Sequence, residues 1–188
     1  MKKGLITGGI IVGLVLLIGI WFASTYNGLV EKEEDVSSKL ADISVQLERR
    51  ADLIPNLVST VKGYAKHEQD VIDSVTTARS NLVNANGAAE MAKANEELSS
   101  ALNRLLVVVE NYPELKSNTN FIQLQDELAG TENRIAIARR DYNEVVKEYN
   151  KTIKRFPKNL LAGMFGFEEK EYFEAKESAN EVPEVSFD

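Results

Sequence analysis

The sequence contains no cysteine and a single histidine, and these shortages exclude several kinds of metal site and catalytic site. Without Cys there is no disulfide, no Cys-ligated zinc, no iron–sulfur cluster and no thiol catalysis. A di-iron helical bundle needs two Glu-x-x-His pairs, whereas Tyr64 stands three residues before His67. No serine lies in the context of a strained nucleophile turn, and no glycine-rich loop matches a phosphate cradle. We therefore predict a non-enzymatic protein with no catalytic residue, metal or cofactor, and a surface position for His67.

Positive charge is also scarce, since 22 Lys and Arg stand against 29 Asp and Glu, which gives a net charge of −7. Nucleic-acid binding draws on clustered Lys and Arg that contact phosphates, so this balance argues against a general nucleic-acid binder. A length of 188 residues suits one domain with at most a small accessory segment.

Charge is absent altogether between Lys3 and Glu31, and residues Gly4–Ala23 are almost all apolar. A helix of that length rises about 30 Å, which matches the hydrocarbon thickness of a bilayer. Trp21 and Tyr26 lie at one end, where aromatic residues favour the headgroup level. A cleaved signal peptide has a shorter apolar region and a small-x-small site, so the sequence favours an uncleaved anchor that contacts the lipid bilayer through residues 4–23.

The orientation of this anchor stays open at the sequence level. Lys2 and Lys3 weakly favour an N-terminus inside the cell, but Lys32 and Lys39 follow the apolar run closely. Small residues at G-x-x-x-G spacing let two helices approach in lipid, which predicts self-association as one alternative. The other alternative is that glycine is simply common in membrane helices. The glycines concerned are Gly4, Gly8, Gly9 and Gly13.

A seven-residue apolar pattern follows the anchor and keeps its phase from about residue 27 to residue 84. Position a holds Leu40, Leu47, Ile54, Val61, Glu68, Val75 and Leu82, and position d holds Val36, Ile43, Arg50, Leu57, Tyr64, Val71 and Ala78. This periodicity predicts packed helix of the coiled-coil type. The preserved phase favours a single kinked helix at about residues 27–84, which passes Pro55, over two shorter helices broken near Pro55.

Two further helices are predicted, at about residues 88–110 and 119–156, with Pro113 and Pro157 as stops. No segment alternates with period two, so the predicted fold class is all-α. Short connections between long amphipathic helices imply an elongated antiparallel bundle.

The predicted domains are a membrane anchor at 1–26, a helical bundle at 27–167 and an acidic, mobile tail at 168–188. The apolar stretch 160–167 is too short to span a bilayer and either caps the bundle or dips into a membrane surface.

Polar residues at core-type positions are the remaining candidates for a site. Arg50 and Glu68 occupy a or d positions, so each is expected to have a partner or to lie at the bundle edge. A stripe of tyrosines with asparagines beside it is expected to be core with hydrogen-bonded hydroxyls. The stripe consists of Tyr142, Asn143, Tyr149 and Asn150.

Three stretches of the sequence resemble the LemA family of bacterial membrane proteins. The first is Arg49–Val58 with Val61–Ala65 and His67-Glu68; the second is Val109–Lys116; the third is Leu128–Ile135 with Ala138-Arg139, Tyr142-Asn143, Tyr149-Asn150 and Phe156-Pro157. The resemblance implies one N-terminal membrane helix, an up-and-down antiparallel four-helix bundle and an N-terminus outside the cell. A break near Pro55 or a short helix after Pro157 would supply the fourth helix. The family has no agreed catalytic residues, so none is carried over.

These observations predict a single-pass membrane protein whose soluble bundle is an interaction or scaffold module for other, unidentified membrane proteins. The alternative is a ligand- or stress-sensing bundle that signals through a partner protein.

Overall fold

The computed structural model describes residues 2–65 and 67–174, with side-chain detail from residue 8 onward. This part of the chain is helical and contains no β-strand, which confirms the predicted all-α class there. The helices are α1 (Lys2–Tyr64), α2 (Gln69–Asn84), α3 (Gly87–Val109), α4 (Pro113–Lys116), α5 (Thr119–Lys154) and α6 (Lys158–Phe165).

Helix α1 continues through Pro55, because a side chain of α2 replaces the hydrogen bond that proline cannot make. Proline has no N–H, so the carbonyl of Ala51, four residues earlier, lacks its helical partner. Arg79 donates from Nε to that oxygen at 2.9 Å. Ala51 is 1% exposed, so water cannot easily do the same. The prediction of a helix that passes Pro55 is confirmed, and the alternative of a break near Pro55 is wrong.

The predicted continuation of this helix to residue 84 is also wrong, because α1 ends at Tyr64 and α2 begins at Gln69. In the connection, Glu68 donates its backbone N–H to the carbonyl of Ala65 at 3.3 Å, and Ile72 donates to the carbonyl of Glu68. Ala65 itself is fully buried. The seven-residue pattern has the same phase before and after this connection. Such a pattern fits one continuous helix and also fits two helices whose apolar faces both point inward. Periodicity alone therefore could not reveal where α1 ends.

The chain divides into two compact units, which are Met1–Ser38 with Glu144–Lys170 (unit 1) and Lys39–Asn143 with Glu171–Asp188 (unit 2). In unit 2, α1 contacts three other helices through polar side chains. Arg79 of α2 binds the Ala51 carbonyl, and Arg50 binds Asn95 of α3 and Glu132 of α5. The apolar positions between them are buried, among them Ile43, Ile54, Leu57, Val61, Ile72, Val75, Leu98, Leu105, Phe121 and Ile135.

In unit 1, the first part of α1 packs against the end of α5 and against α6. Leu29, Val36, Val146, Tyr149, Ile153 and Leu161 are buried there. The apolar run that precedes them is not covered, since only 6% of its most hydrophobic window is buried. This is the candidate span of the described residues, long and apolar enough to cross a membrane. Its exposed side chains need an apolar environment that the described part of the chain does not provide.

Helix α6 was foreseen only as one alternative, a short helix after Pro157. The helix ends at Phe165. The next residue, Gly166, has a φ of 74°, which is the left-handed conformation that favours glycine. The backbone N–H of Phe167 then donates to the carbonyl of Ala162 at 3.0 Å, which closes the helix end.

Residues 168–174 contain no helix or strand, and most of them are exposed, as predicted for a solvated segment, but their backbone binds α5. Phe173 is 2% exposed, and two asparagines of α5 bind the segment's backbone, as described below. The rest of the predicted tail, including Pro183, Val185 and Phe187, lies outside the described residues, so its mobility stays a prediction. The domain boundaries also stay a prediction.

Candidate functional site

The ion pair of Arg50 is the principal polar feature of the core in unit 2. Nη1 of Arg50 lies 2.5 Å from Oε2 of Glu132 and donates to Oδ1 of Asn95 at 2.5 Å. The Arg50 side chain is 6% exposed, whereas that of Glu132 is 50% exposed. Burial lowers the pKa of Arg50, and the charge of Glu132 partly opposes that shift. The expectation that this core-position arginine has a partner is confirmed.

A cleft opens beside this ion pair, with a volume of about 570 Å³. Its walls come from α1, α3 and α5 within unit 2, and their apolar part consists of Ala129 and five leucines: Leu57, Leu102, Leu105, Leu106 and Leu128. The polar groups at its edge include Arg50, Glu132, Gln125 and Asp126. Leu106 is 39% exposed, so a large apolar side chain faces the opening. An apolar cleft with a few convergent polar groups is the usual form of a binding site.

The other core-position charge, Glu68, is half-buried in the connection between α1 and α2. It accepts a hydrogen bond from the Tyr112 hydroxyl at 3.0 Å. That bond raises the pKa of Tyr112. Asn118 similarly donates to the Tyr64 hydroxyl at 3.0 Å. Glu68 therefore has the expected partner. His67 is exposed beside it, as predicted for a surface histidine.

The tyrosine and asparagine stripe of α5 does more than the sequence predicted. In unit 1, Asn150 donates from Nδ2 to the Lys170 carbonyl at 2.8 Å and accepts the Lys170 backbone N–H at 2.9 Å. In unit 2, Asn143 makes the same pair of bonds to Phe173, at 3.1 and 2.8 Å. A side-chain amide matches one donor and one acceptor of an extended backbone. The asparagines therefore hold residues 168–174, a role that their helical spacing beside buried tyrosines could have suggested.

The two tyrosines of the stripe differ in one respect. Tyr142 donates its hydroxyl to the Glu171 carbonyl at 2.8 Å, as expected for a core tyrosine. The hydroxyl of Tyr149 is buried and contacts no partner among the described residues, which the prediction did not foresee. Burial, together with the charges of Glu33 and Glu168, raises the pKa of Tyr149 to about 12. Burial and Glu171 raise the pKa of Tyr142 as well.

Metal ligands are not gathered anywhere in residues 2–65 and 67–174, where no three His, Asp or Glu side chains form a cluster suited to a metal ion. The absence of a metal, of a cofactor and of catalysis stays a prediction.

The described residues combine one long apolar helix near the N-terminus, a cleft lined by leucines and polar side chains, and a helix whose asparagines bind a separate stretch of backbone; this places the chain in the class of membrane-associated helical proteins. The sequence model of the LemA family matches residues 39–187. The chain belongs to the LemA family. The structure also joins the stretches that carry this likeness, because Arg50 meets Glu132 and Glu68 meets Tyr112.

Known relatives include magnetosome proteins. The chain is 29% identical to magnetosome protein MamQ 2 of Paramagnetospirillum magneticum over 187 aligned residues, which cover 86% of this chain and 68% of that protein. It is 27% identical to magnetosome protein MamQ of Magnetospirillum gryphiswaldense, with the same coverage. It is 24% identical to protein LemA of Metamycoplasma hominis over 170 residues, which cover 87% of this chain and 76% of that protein.

Proposed function

We propose that this chain is a non-enzymatic interaction module, held at a membrane by a single span at residues 4–23, whose leucine-walled cleft receives another membrane protein. The observation that carries this proposal is the coexistence of an uncovered apolar helix with an open apolar cleft in one chain. A large exposed apolar surface marks a site of interaction with lipid or protein. The magnetosome relatives support a place at a membrane-bounded structure.

The architecture that we propose for unit 2 is an up-and-down four-helix bundle of α1, α2, α3 and α5. Contacts between α2 and α3 run antiparallel, because Ser74 meets Arg104 while Asn81 meets Glu97. Contacts between α1 and α5 also run antiparallel. The pairs that support this are Arg50 with Glu132, and Tyr64 with Asn118, the residue just before α5. Antiparallel neighbours joined by short connections are the pattern of such bundles.

A membrane tether raises the effective concentration of a bundle for partners in the same membrane, even when each contact is weak. The partner that fits the cleft is a membrane protein that presents an apolar segment with a polar rim. Apolar side chains would occupy the leucine walls, and polar groups would meet Gln125, Asp126 and Glu132 at the edge. The side of the membrane on which the bundle lies stays open.

Site-specific photocrosslinking in intact membranes tests this assignment. A benzophenone amino acid at Leu106 places the reactive group at the cleft, and the matched control at Val107 places it on the next residue of α3, which is 71% exposed and does not line the cleft. We expect a discrete crosslinked membrane protein from position 106 and none from position 107. Equal crosslinking from both positions, or none from either, would contradict the cleft as the contact surface.

Deletion of Gly4–Ala23 tests the tether separately. We expect the shortened chain to lose most of its enrichment in the membrane fraction while it keeps its helical circular dichroism. Persistent sedimentation with membranes would show that a second region also binds them.

Ligand sensing is the second candidate function, and the volume of the cleft favours it. A cleft of about 570 Å³ is within the usual range for small-molecule sites. A metabolite that occupied it would contact Arg50 and Glu132 and would stabilise unit 2 by a free energy that rises with the logarithm of its concentration above the dissociation constant. A thermal-shift screen of the full chain in detergent separates the two candidates, because a hit abolished by Leu106→Trp supports sensing and a flat screen opposes it.

A further inference from the structure

Helix α6 lies beside the last part of the apolar run of α1, and both belong to unit 1. The ring of Phe165 packs edge-on against Phe22, with ring centroids 5.7 Å apart, and against Tyr26 at 4.8 Å. Phe167 packs edge-on against Tyr26 at 5.8 Å. The C-terminal end of α6 is therefore fixed to residues 22–26 of α1.

The level of residues 22–26 relative to a bilayer follows from helix geometry. An apolar run that starts at Gly4 has risen about 30 Å by Ala23, which is the hydrocarbon thickness of a bilayer. If the run spans the membrane, Phe22 and Tyr26 lie where hydrocarbon meets headgroups, the level that aromatic side chains favour. The end of α6 must then lie at the same level.

The outer face of α6 is apolar, although nothing in the described chain covers it. Leu161 and Ala162 are buried against the rest of unit 1, with 3% exposure each. Leu160 and Met164, four residues apart on the other side, are 61% and 65% exposed. Phe156, just before the helix, is 80% exposed. Side chains at i and i+4 share one helix face, so Leu160 and Met164 form an exposed apolar ridge.

Positive charges flank this ridge. Arg155 and Lys158 are exposed, and neither lies within 4.0 Å of a described carboxylate, although the charge of Arg155 acts on Glu148 from farther away. Their neighbours Lys151 and Lys154 do pair, with Glu148 and Glu169. An apolar helix face with free cations at its border is the arrangement of helices that lie in a membrane interface, where the cations meet lipid phosphates.

We propose that α6 is a second membrane contact, which lies in the headgroup region of the bilayer that α1 spans and inserts Leu160 and Met164 among the acyl chains. This inference rests on the proposed span at residues 4–23. Arg155 and Lys158 bind anionic headgroups at the border of the same patch. The span alone would leave unit 1 free to rotate about the membrane normal and to tilt, whereas a second contact beside it restricts the tilt.

The absence of native cysteine makes a direct test simple, since any introduced cysteine is the sole labelling site. Two single-cysteine variants of the full chain, Leu160→Cys and Met164→Cys, each carry one nitroxide label. Each variant is reconstituted separately into vesicles of phosphatidylcholine and phosphatidylglycerol. Collisions with oxygen, which partitions into lipid, are compared with collisions with a water-soluble nickel chelate. We expect oxygen to dominate at both positions.

Two controls make the outcomes distinguishable. Val15→Cys lies in the proposed span and must show oxygen accessibility, whereas Val107→Cys is an exposed apolar position of α3 and is expected to show nickel accessibility. Lipid exposure at 15 with aqueous exposure at 160 and 164 overturns the inference alone. Aqueous exposure at 15 overturns the span as well. Protection from both reagents, or spin–spin broadening between labels, shows protein instead of lipid over the ridge and overturns the inference.

The role of the flanking charges is tested by Arg155→Gln with Lys158→Gln in the Met164→Cys background. In vesicles with phosphatidylglycerol we expect the ratio of oxygen to nickel accessibility to fall at least twofold. In vesicles of phosphatidylcholine alone we expect no change. The double substitution Lys93→Gln with Lys116→Gln is the control, because it removes the same charge from unit 2. An equal fall in the control, or no fall in the test variant, overturns the headgroup contact.

Discussion

Arg79 of α2 donates to the carbonyl oxygen of Ala51 in α1 at 2.9 Å, and this is the carbonyl that Pro55 leaves without a helical partner. The proline therefore creates the acceptor that fixes α2 against α1. A proline within a helix is usually read as a kink or a break. Here the long-range hydrogen bond compensates for it, so the helix continues.

Arg79→Ala is expected to lower the free energy of unfolding by about 1–3 kcal/mol, because it leaves a buried carbonyl without a donor. In a Pro55→Ala background the loss should be about 1 kcal/mol smaller, since the alanine supplies the missing N–H. Urea unfolding of the full chain in detergent measures the cycle. Arg104→Ala, which removes an exposed hydrogen bond to Ser74, is the control and should change stability by less than about 0.5 kcal/mol. Additive effects of the Arg79 and Pro55 substitutions would refute the link.

Asn150→Ala is expected to release the segment that begins at Lys170. The substitution removes two hydrogen bonds and leaves the N–H and the carbonyl of Lys170 unpartnered, which costs about 1–3 kcal/mol. Trypsin should then cut after Lys170 faster than in the unsubstituted chain, as followed by mass spectrometry. Asn133→Ala removes an exposed asparagine from the same helix and should leave the cutting rate unchanged. Equal rates in both variants would show that the asparagine does not hold the segment.

The two buried tyrosines should respond differently to loss of the hydroxyl, since only Tyr142→Phe is expected to lower stability. Tyr142→Phe removes a hydrogen bond to the Glu171 carbonyl and should cost about 1 kcal/mol. Tyr149→Phe removes a hydroxyl that is buried without a partner, so stability should stay unchanged or rise by up to about 1 kcal/mol. Urea midpoints of the two variants provide the comparison, and a larger loss at Tyr149 than at Tyr142 would show that its hydroxyl is satisfied.

Alkaline pH should destabilise unit 1 through Tyr149. Its pKa is raised to about 12 in the folded chain, above the value near 10 of an exposed tyrosine. Below pH 10 the group is neutral in both states, so its contribution is constant. Between about pH 10 and pH 12 the unfolded chain releases the proton first, so stability falls as pH rises. Tyr149→Phe should flatten the slope of stability against pH in this window, and an unchanged slope would contradict the role of Tyr149.

The ion pairs of two adjacent arginines should differ in their contribution to stability. Glu132→Ala leaves the buried Arg50 guanidinium with Asn95 as its remaining partner, which should cost about 1–3 kcal/mol, less than for a fully buried pair because Glu132 is half exposed. Glu127→Ala breaks the pair with Arg49, whose two members are both half exposed, and should change stability by less than about 0.5 kcal/mol. Equal costs would show that the burial of Arg50 has no energetic effect.

The local features of this protein follow from the sequence alone. The apolar run of residues 4–23, the all-helical class, the starts and ends of α3 and α5 to within about two residues, and the need of Arg50 for a partner are all legible in it. Each depends on the period, length or charge of a continuous stretch, and such properties act through neighbouring residues of one helix.

The tertiary structure decided what depends on residues far apart in the sequence. The end of α1 at Tyr64 and the start of α2 at Gln69 are invisible to a periodicity that both helices share, and the compensation of Pro55 requires a side chain 28 residues beyond Ala51. The pairing of Asn143 and Asn150 with an extended backbone, and the position of α6 beside Phe22 and Tyr26, likewise arise only when separate segments pack. A hydrogen bond or an aromatic contact depends on two residues that are far apart in the sequence. The sequence around one of them does not show which residue is its partner.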